Sequence, residues 1–168
     1  MRGKKPEKVE VVKLVTFALG ADLFAAEVFA VERALRYVQP NNVPDLPEWI
    51  AGVIEYESRV IPAVDMRRRM GLPSTEITHE TRTLVFVAQE NRIAAIVDEV
   101  HEVATVPKAS INPPPAMFRG LAAEFVRGIV KVHEQLVVIL DAERVLTSCD
   151  LIALERALES RDGASARG

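Results

Sequence analysis

Three apolar strands in this chain end in an aspartate: Val64-Asp65, Val97-Asp98 and Leu140-Asp141. Carboxylates gathered at one point could hold a cation or divide acid–base work between them. An Asp just after a strand also does something simpler, ending the strand or capping a following helical turn, and that strand-end and helix-cap reading is preferred for the three. His79, His101 and His133 are scattered, with no i, i+4 pair and no cysteine nearby, so no metal site is expected. Cys149, the only cysteine, follows Ser148 at the edge of a last helix. A helix N-terminus can activate a thiol, but with no histidine close in sequence a structural thiol is favoured. Arg67-Arg68-Arg69 could read as a nucleic-acid patch; at a net charge of −3 a solvated helix face is preferred. The chain has no glycine-rich phosphate loop, nucleophile elbow or dinucleotide fingerprint. These residues point away from an enzyme, and no cofactor is expected.

The composition sets the frame for whatever positions these groups. The 168 residues suffice for one domain, or one domain of two intimate lobes. Nearly half are apolar but only 5% aromatic, so the core must be aliphatic, and its β-branched share favours strands. A pI near 5.7 offers no general attraction to nucleic acid or acidic lipid. No apolar run approaches the roughly 20 residues of a membrane span, so no direct membrane insertion is expected. The basic MRGKKPEK start has no uninterrupted apolar stretch behind it and is not read as a signal peptide. With a single cysteine the chain fits a reducing cytoplasm.

The elements are short. Val11–Leu19 and Leu23–Val28 flank a turn at Gly20-Ala21-Asp22; Val53–Tyr56 and Val60–Val64 flank Glu57-Ser58. Thr83–Ala88 and Arg92–Val97 flank Gln89-Glu90-Asn91, and Phe125–Val132 and Leu136–Leu140 flank His133-Glu134-Gln135. Val31, Ala34, Leu35 and Val38 fall at helix-like spacing, which predicts a turn there. Pro47 is placed to open one helical turn carrying Trp49 and Ile50. Asp65 is placed to cap a helix at Met66–Met70, which Gly71 and Pro73 end, and Asp141 to cap Ala142–Leu146. Val100, Val103 and Val106 mark a further strand, and Pro113-Pro114-Pro115 an extended connector. Leu151, Leu154 and Leu158 form the stripe of a last amphipathic helix. About ten short strands predict a mostly β protein of two small SH3-like five-stranded barrels packed together, with short helices and a C-terminal helix. The expected organisation is a flexible arm at 1–10, a two-barrel domain at 11–147, and a helix with a frayed tail at 148–168. No repeat of fixed period is convincing.

Four blocks then make the pattern specific: LVTFALGADLFAAEVFAVERALRYV, VPDLPEWIAGVIEYESRVIPAVDMRRRMGL, IAAIVDEVHEVATVPKASINPPP and FVRGIVKVHEQLVVILDAERVL. In this order and spacing they resemble the CheW family of chemotaxis coupling proteins, over roughly residues 12–147. The resemblance implies two β-barrel subdomains and no catalysis. It also implies a scaffold between two partners, the cytoplasmic tip of a methyl-accepting chemoreceptor and the regulatory domain of a CheA-type histidine kinase.

The second block departs from the family at its centre. The family's N-L-R-G turn is Glu55-Tyr56-Glu57-Ser58 here, so Glu57 stands for an Arg and Ser58 for a Gly. In the first block Arg33 stands where the family carries an acid, although Glu32 could be that acid shifted by one residue. The expectation is that Arg33 and Glu57 face each other, serving partner choice more than stability. Ser58 in place of Gly predicts a different turn. The resemblance places Val31, Val100 and Val103 on apolar partner surface, against a plain core role, and Thr81, Arg82 and Ala94 along the same groove. Gly52 joins the partner-binding set, with close backbone packing as its simpler explanation. The rival reading is a small-barrel nucleic-acid-binding protein, which predicts exposed aromatics for stacking.

Overall fold

The computed structural model describes residues 9–73, 75–115 and 121–146. Within these, four hairpins form where alternating apolar strands meet two-residue turns: β1 (Val11–Leu19) with β2 (Asp22–Glu27), β4 (Ile50–Tyr56) with β5 (Arg59–Asp65), β6 (Arg82–Ala88) with β7 (Asn91–Val97), and β9 (Val126–Val132) with β10 (Gln135–Leu140). The strands β3 (Val31–Arg36) and β8 (Glu99–Pro107) stand between hairpins. Two short helices, α1 (Met66–Arg69) and α2 (Ala142–Leu146), follow β5 and β10. The arm at 1–8, Cys149 and the C-terminal helix expected at 148–168 lie outside the described residues.

The strands form two five-stranded sheets, in the orders β8-β1-β2-β10-β9 and β3-β6-β7-β5-β4. Each closes into a barrel through one extra backbone bridge. Asn112 exchanges hydrogen bonds with Ile129 of β9 at 2.8 and 2.9 Å, and Asn41 does the same with Val53 of β4. Each sheet holds one parallel pair, β10 with β2 and β5 with β7, and the remaining pairs are antiparallel. The predicted mostly β, two-barrel architecture is therefore the one adopted.

The two barrels repeat each other, which the sequence reading did not find. Residues of β4–β5–α1 match those of β9–β10–α2 at one constant separation: Trp49 with Phe125, Gly52 with Gly128, Asp65 with Asp141, and Arg68 with Arg144. The geometry repeats as well. The amide of Asp65 donates to the Trp49 carbonyl at 2.8 Å, and that of Asp141 to the Phe125 carbonyl at 2.7 Å. The repeat is interlaced, since β1 and β2 complete a barrel with β8, β9 and β10, whereas β3, β4 and β5 complete theirs with β6 and β7. Few identical residues survive between the halves, so no sequence period stands out.

Each barrel has a small aliphatic interior: Leu14, Ala25, Val130, Val137 and Ile139 in the first, Ile54, Ile61, Ala63, Val85 and Ala94 in the second. The larger core lies between them, where Phe17, Leu19 and Phe24 of one sheet meet Leu84, Phe86, Ile93 and Val97 of the other. Phe17 and Phe86, at equivalent places in the repeat, pack with ring centroids 6.4 Å apart. A buried Phe contributes roughly 1.5–3 kcal/mol, so the shared wall joins the barrels firmly.

Two local expectations are revised. The segment from Val31 is a strand; the turn comes just before it, as a 3₁₀ turn at Val28–Ala30. A bulge explains the misleading spacing, because Val31 pairs with Phe86 and Arg33 with Val85, leaving Glu32 as the extra residue. The Glu57-Ser58 turn keeps positive φ at both residues, 47° and 63°, so Ser58 retains the left-handed conformation a glycine would favour. Its counterpart His133-Glu134 does the same at 50° and 66°. Both are the primed turns that match strand twist. Asp98 stands at a strand end, between β7 and β8, and its carboxylate binds Arg67.

Candidate functional site

The three aspartates do not converge on a common centre. Asp65 accepts from the Arg67 and Arg68 amides as the cap of α1, and Asp141 accepts from the Arg144 amide at the start of α2. α1 then ends with a paired return, Gly71 N–H to the Arg68 carbonyl and Leu72 N–H to the Arg67 carbonyl, made possible by Gly71 at φ 75°. Among the described residues no group of three or more His, Cys, Asp or Glu is arranged to hold a metal ion.

The arginine triplet is not a solvated face. Arg67 turns inward and pairs with Asp98, its Nε 2.8 Å from both carboxylate oxygens, while its Nη1 donates to the Pro73 carbonyl. Asp98 also accepts from the Gly20 amide at 2.6 Å. Burial pushes the Asp98 carboxyl up, but the Arg67 guanidinium and the Gly20 amide together outweigh it and hold the group below its ordinary range. Arg69 lies between Trp49 and Phe125, its guanidinium carbon 4.1 and 4.4 Å from the two ring centroids. Only Arg68 is exposed.

The rim of the second barrel carries the sharpest cluster. Arg33 on β3 and Glu57 at the β4–β5 tip meet at 3.6 Å, both side chains more than half exposed. Glu32, pushed out by the bulge, accepts from the Tyr56 hydroxyl at 2.9 Å and from Arg92 at 2.9 and 3.0 Å. Those bonds, Arg92 first, hold the Glu32 carboxyl below its ordinary range; burial, with Glu32 beside it, pushes the Tyr56 hydroxyl up. Arg33 and Glu32 are thus both engaged, each with its own opposite charge. One bulge aims neighbouring side chains at two partners.

The other expected site residues divide clearly. Val31 and Val100 are partly buried against the central core, at matching places on β3 and β8. Val103 is 58% exposed on β8. Arg82 is partly exposed and donates to the His79 and Thr81 carbonyls. Thr81 is buried, its hydroxyl accepting from the Thr78 amide. Ala94 is fully buried inside the second barrel. Gly52 is buried at φ 144°, and a Cβ there would overlap the Asn41 carbonyl oxygen that closes the barrel. Its close approach is a packing device.

The first barrel repeats the rim pair with its acid on the strand and its basic residue at the tip, which sequence reasoning missed. Glu102 on β8 occupies the place of Arg33, and His133 at the β9–β10 tip that of Glu57; they meet at 2.8 Å. Apolar residues flank each tip, Val60 in the second barrel and Leu136 in the first, 45% and 62% exposed. The constant separation between Glu57 and His133 was the available signal.

Residues 13–150 match the family model described as CheW-like domain. The chain is 32% identical over 134 residues to the "Chemotaxis protein CheW" of Bacillus subtilis, covering 80% of this chain and 86% of that one. "Protein FrzA" of Myxococcus xanthus is 27% identical over 116 residues, covering 68% and 72%. The scaffolding protein TtCheW from Thermoanaerobacter tengcongensis has a crystal structure that superposes with a TM-score of 0.73 at 29% identity, over 79% of this chain and 90% of that one. No helix among the described residues is long and apolar enough to cross a membrane. With its interlaced barrels, its rim clusters and a family match over most of its length, the chain belongs to the CheW family.

Proposed function

We propose that this protein is a non-catalytic, cytoplasmic signalling adaptor that joins the cytoplasmic tip of a chemoreceptor to the regulatory domain of a CheA-type histidine kinase. The observation that carries this reading is the exposed Arg33–Glu57 pair on the rim of the second barrel, beside the half-buried Val31. An apolar seam bordered by opposed charges is the anatomy of a specific protein interface, in which burial supplies affinity and the rim fixes register. The rim pair itself is worth only about 0–1 kcal/mol to stability. Its effect falls on partner choice, because a partner carrying the family's usual charge order meets like charges and one with the inverse order meets opposite charges. Family membership supports the adaptor role, and a scaffold of this kind works by holding its partners in a fixed array, with no reaction of its own.

The test is a binding titration with the regulatory domain of a kinase from the same organism, using the unaltered chain and the double reversal Arg33→Glu with Glu57→Arg. A change of roughly tenfold or more in preference among kinases is expected, with folding unchanged. Identical affinity of both proteins for every kinase domain would sink the specificity argument. Absence of binding to any kinase or receptor fragment would sink the adaptor.

A further inference from the structure

The second barrel sets two arginines against each other. Arg36 at the end of β3 and Arg82 at the start of β6 are direct partners in the antiparallel register of those strands. Cross-strand partners point to the same face with Cβ atoms about 5 Å apart, and like charges there cost stability. The two arginines share a pocket of about 480 Å³, completed by Tyr37, Thr78, His79 and Thr81. No acidic side chain among the described residues lines it. Glu80, in the same loop, reaches His79 at 3.8 Å but lines the neighbouring pocket beside Arg67 and Asp98. A repulsive pair that faces a cavity without a counter-charge calls for an anion.

The loop at one wall of the pocket is fixed by its own hydrogen bonds. The Thr81 amide donates to the Thr78 carbonyl at 3.2 Å, and the Thr78 amide to the buried Thr81 hydroxyl at 2.9 Å. The Thr78 hydroxyl in turn accepts from the Glu80 amide at 3.1 Å. This loop orients Arg82, whose Nη1 donates to the His79 and Thr81 carbonyls at 2.7 and 3.0 Å. One corner of the Arg82 fork is thus spent on backbone, and Nε and Nη2 are left for a ligand. Arg36 makes no hydrogen bond or ion pair among the described residues.

The donor set distinguishes among anions. A carboxylate has two oxygens in one plane and a single charge, and one arginine fork satisfies it. A phosphate monoester carries up to about two negative charges and three acceptor oxygens. That matches two guanidiniums with the Tyr37 and Thr78 hydroxyls beside them. We propose that the Arg36–Arg82 pocket binds a phosphate monoester, either free or on a phosphorylated side chain. This binding does not depend on which protein partners the rim pair selects.

The test follows the Nε–H resonances of the full chain carrying isotopically labelled arginine, as methyl phosphate is added at constant ionic strength. The Arg36 and Arg82 resonances are assigned by their loss in Arg36→Gln and Arg82→Gln. Both should shift together and saturate, while acetate at the same concentration leaves them nearly unmoved. Arg36→Gln should weaken methyl phosphate binding, read at Arg82, by about tenfold or more. Arg82→Lys keeps the charge but loses the fork, and should weaken it several-fold. A phosphoserine peptide that binds far more tightly than methyl phosphate, while its unphosphorylated form does not bind, assigns the pocket to a phosphorylated protein; equal affinities assign it to a small phosphate ester. Equal responses to acetate and methyl phosphate overturn the proposal, as do shifts that track ionic strength alone or undiminished binding by Arg36→Gln.

Discussion

At Asp98, where the chain leaves the second barrel for β8, the passage is fastened: the carboxylate is held by Arg67 of α1 and by the Gly20 amide of the β1–β2 turn. At Phe29, where the chain leaves the first barrel for β3, the equivalent place presents an apolar ring to solvent. The groups matching Arg67 and Gly20 there are Glu143 and Gln89, which cannot build the same bridge with a phenylalanine. The same backbone plan has thus produced one passage secured by charge and one left with an apolar surface. Side chains at a few matching positions, not the barrels themselves, decide which passage is fastened and which is left open.

The comparison can be broken most severely at the glycines that let the closing bridges approach. Gly52→Ala should cost about 3 kcal/mol, from a strained φ plus overlap with the Asn41 carbonyl. Gly128→Ala meets Ile111 and the Asn112 carbonyl at 2.7 and 2.8 Å but needs no unusual φ, and should cost roughly half as much. Chemical denaturation of the two variants measures the difference; equal losses would show that the two closures are alike in strain. Arg67→Met comes next, at about 2–3 kcal/mol, because it strands a partly buried carboxylate. The matching Glu143→Ala should stay within about 0.5 kcal/mol.

The fastened passage also carries a pH signature. The Asp98 carboxyl is depressed in the folded protein, so its stabilisation is present above the ordinary carboxylate range and is lost as pH falls through the folded value. Acid titration of the unaltered chain should show this loss, and Asp98→Asn should flatten that part of the profile. Reversal of the first-barrel pair, Glu102→Arg with His133→Glu, should leave stability within about 1 kcal/mol, since both side chains are at least half exposed. If it shifts partner preference as strongly as the Arg33–Glu57 reversal does, both rims select partners. A small effect of opposite sign is expected at Ser58→Gly, a gain of up to about 1 kcal/mol from relief of a left-handed serine, with kinase binding unchanged.

Much of the scaffold could be read from the sequence because its signals are local. Alternation with a two-residue break marks each hairpin, and an aspartate before Met66 or Ala142 marks each short helix. The Arg33–Glu57 juxtaposition was within reach because both residues departed from the family pattern together. What escaped depends on partners far apart in the chain. Nothing near Asp98 announces that Arg67 and Gly20 will converge on it, so a strand-end position alone could not name its partners. The arginine triplet looked solvated because no local rule places Arg69 between Trp49 and Phe125, which are themselves equivalent residues of two distant hairpins. The bulge at Glu32 imitated helical spacing, and burial of Thr81 and Ala94 follows from the closing of the second barrel around them. The internal repeat was present in the letters, but as matched positions with different residues.

The interlacing of the two halves has a consequence for how the protein comes into being. When β1 and β2 leave the ribosome, the strands that must flank them, β8 and β10, have yet to be translated, so that hairpin waits with both edges open while most of the polypeptide is made. The second barrel, whose strands run without interruption from β3 to β7, can close first and offer its inner wall as a template. Completion of the first barrel then falls to β8, β9 and β10, and a chain released before them would lack a partner for its opening hairpin, whatever the quality of the rest.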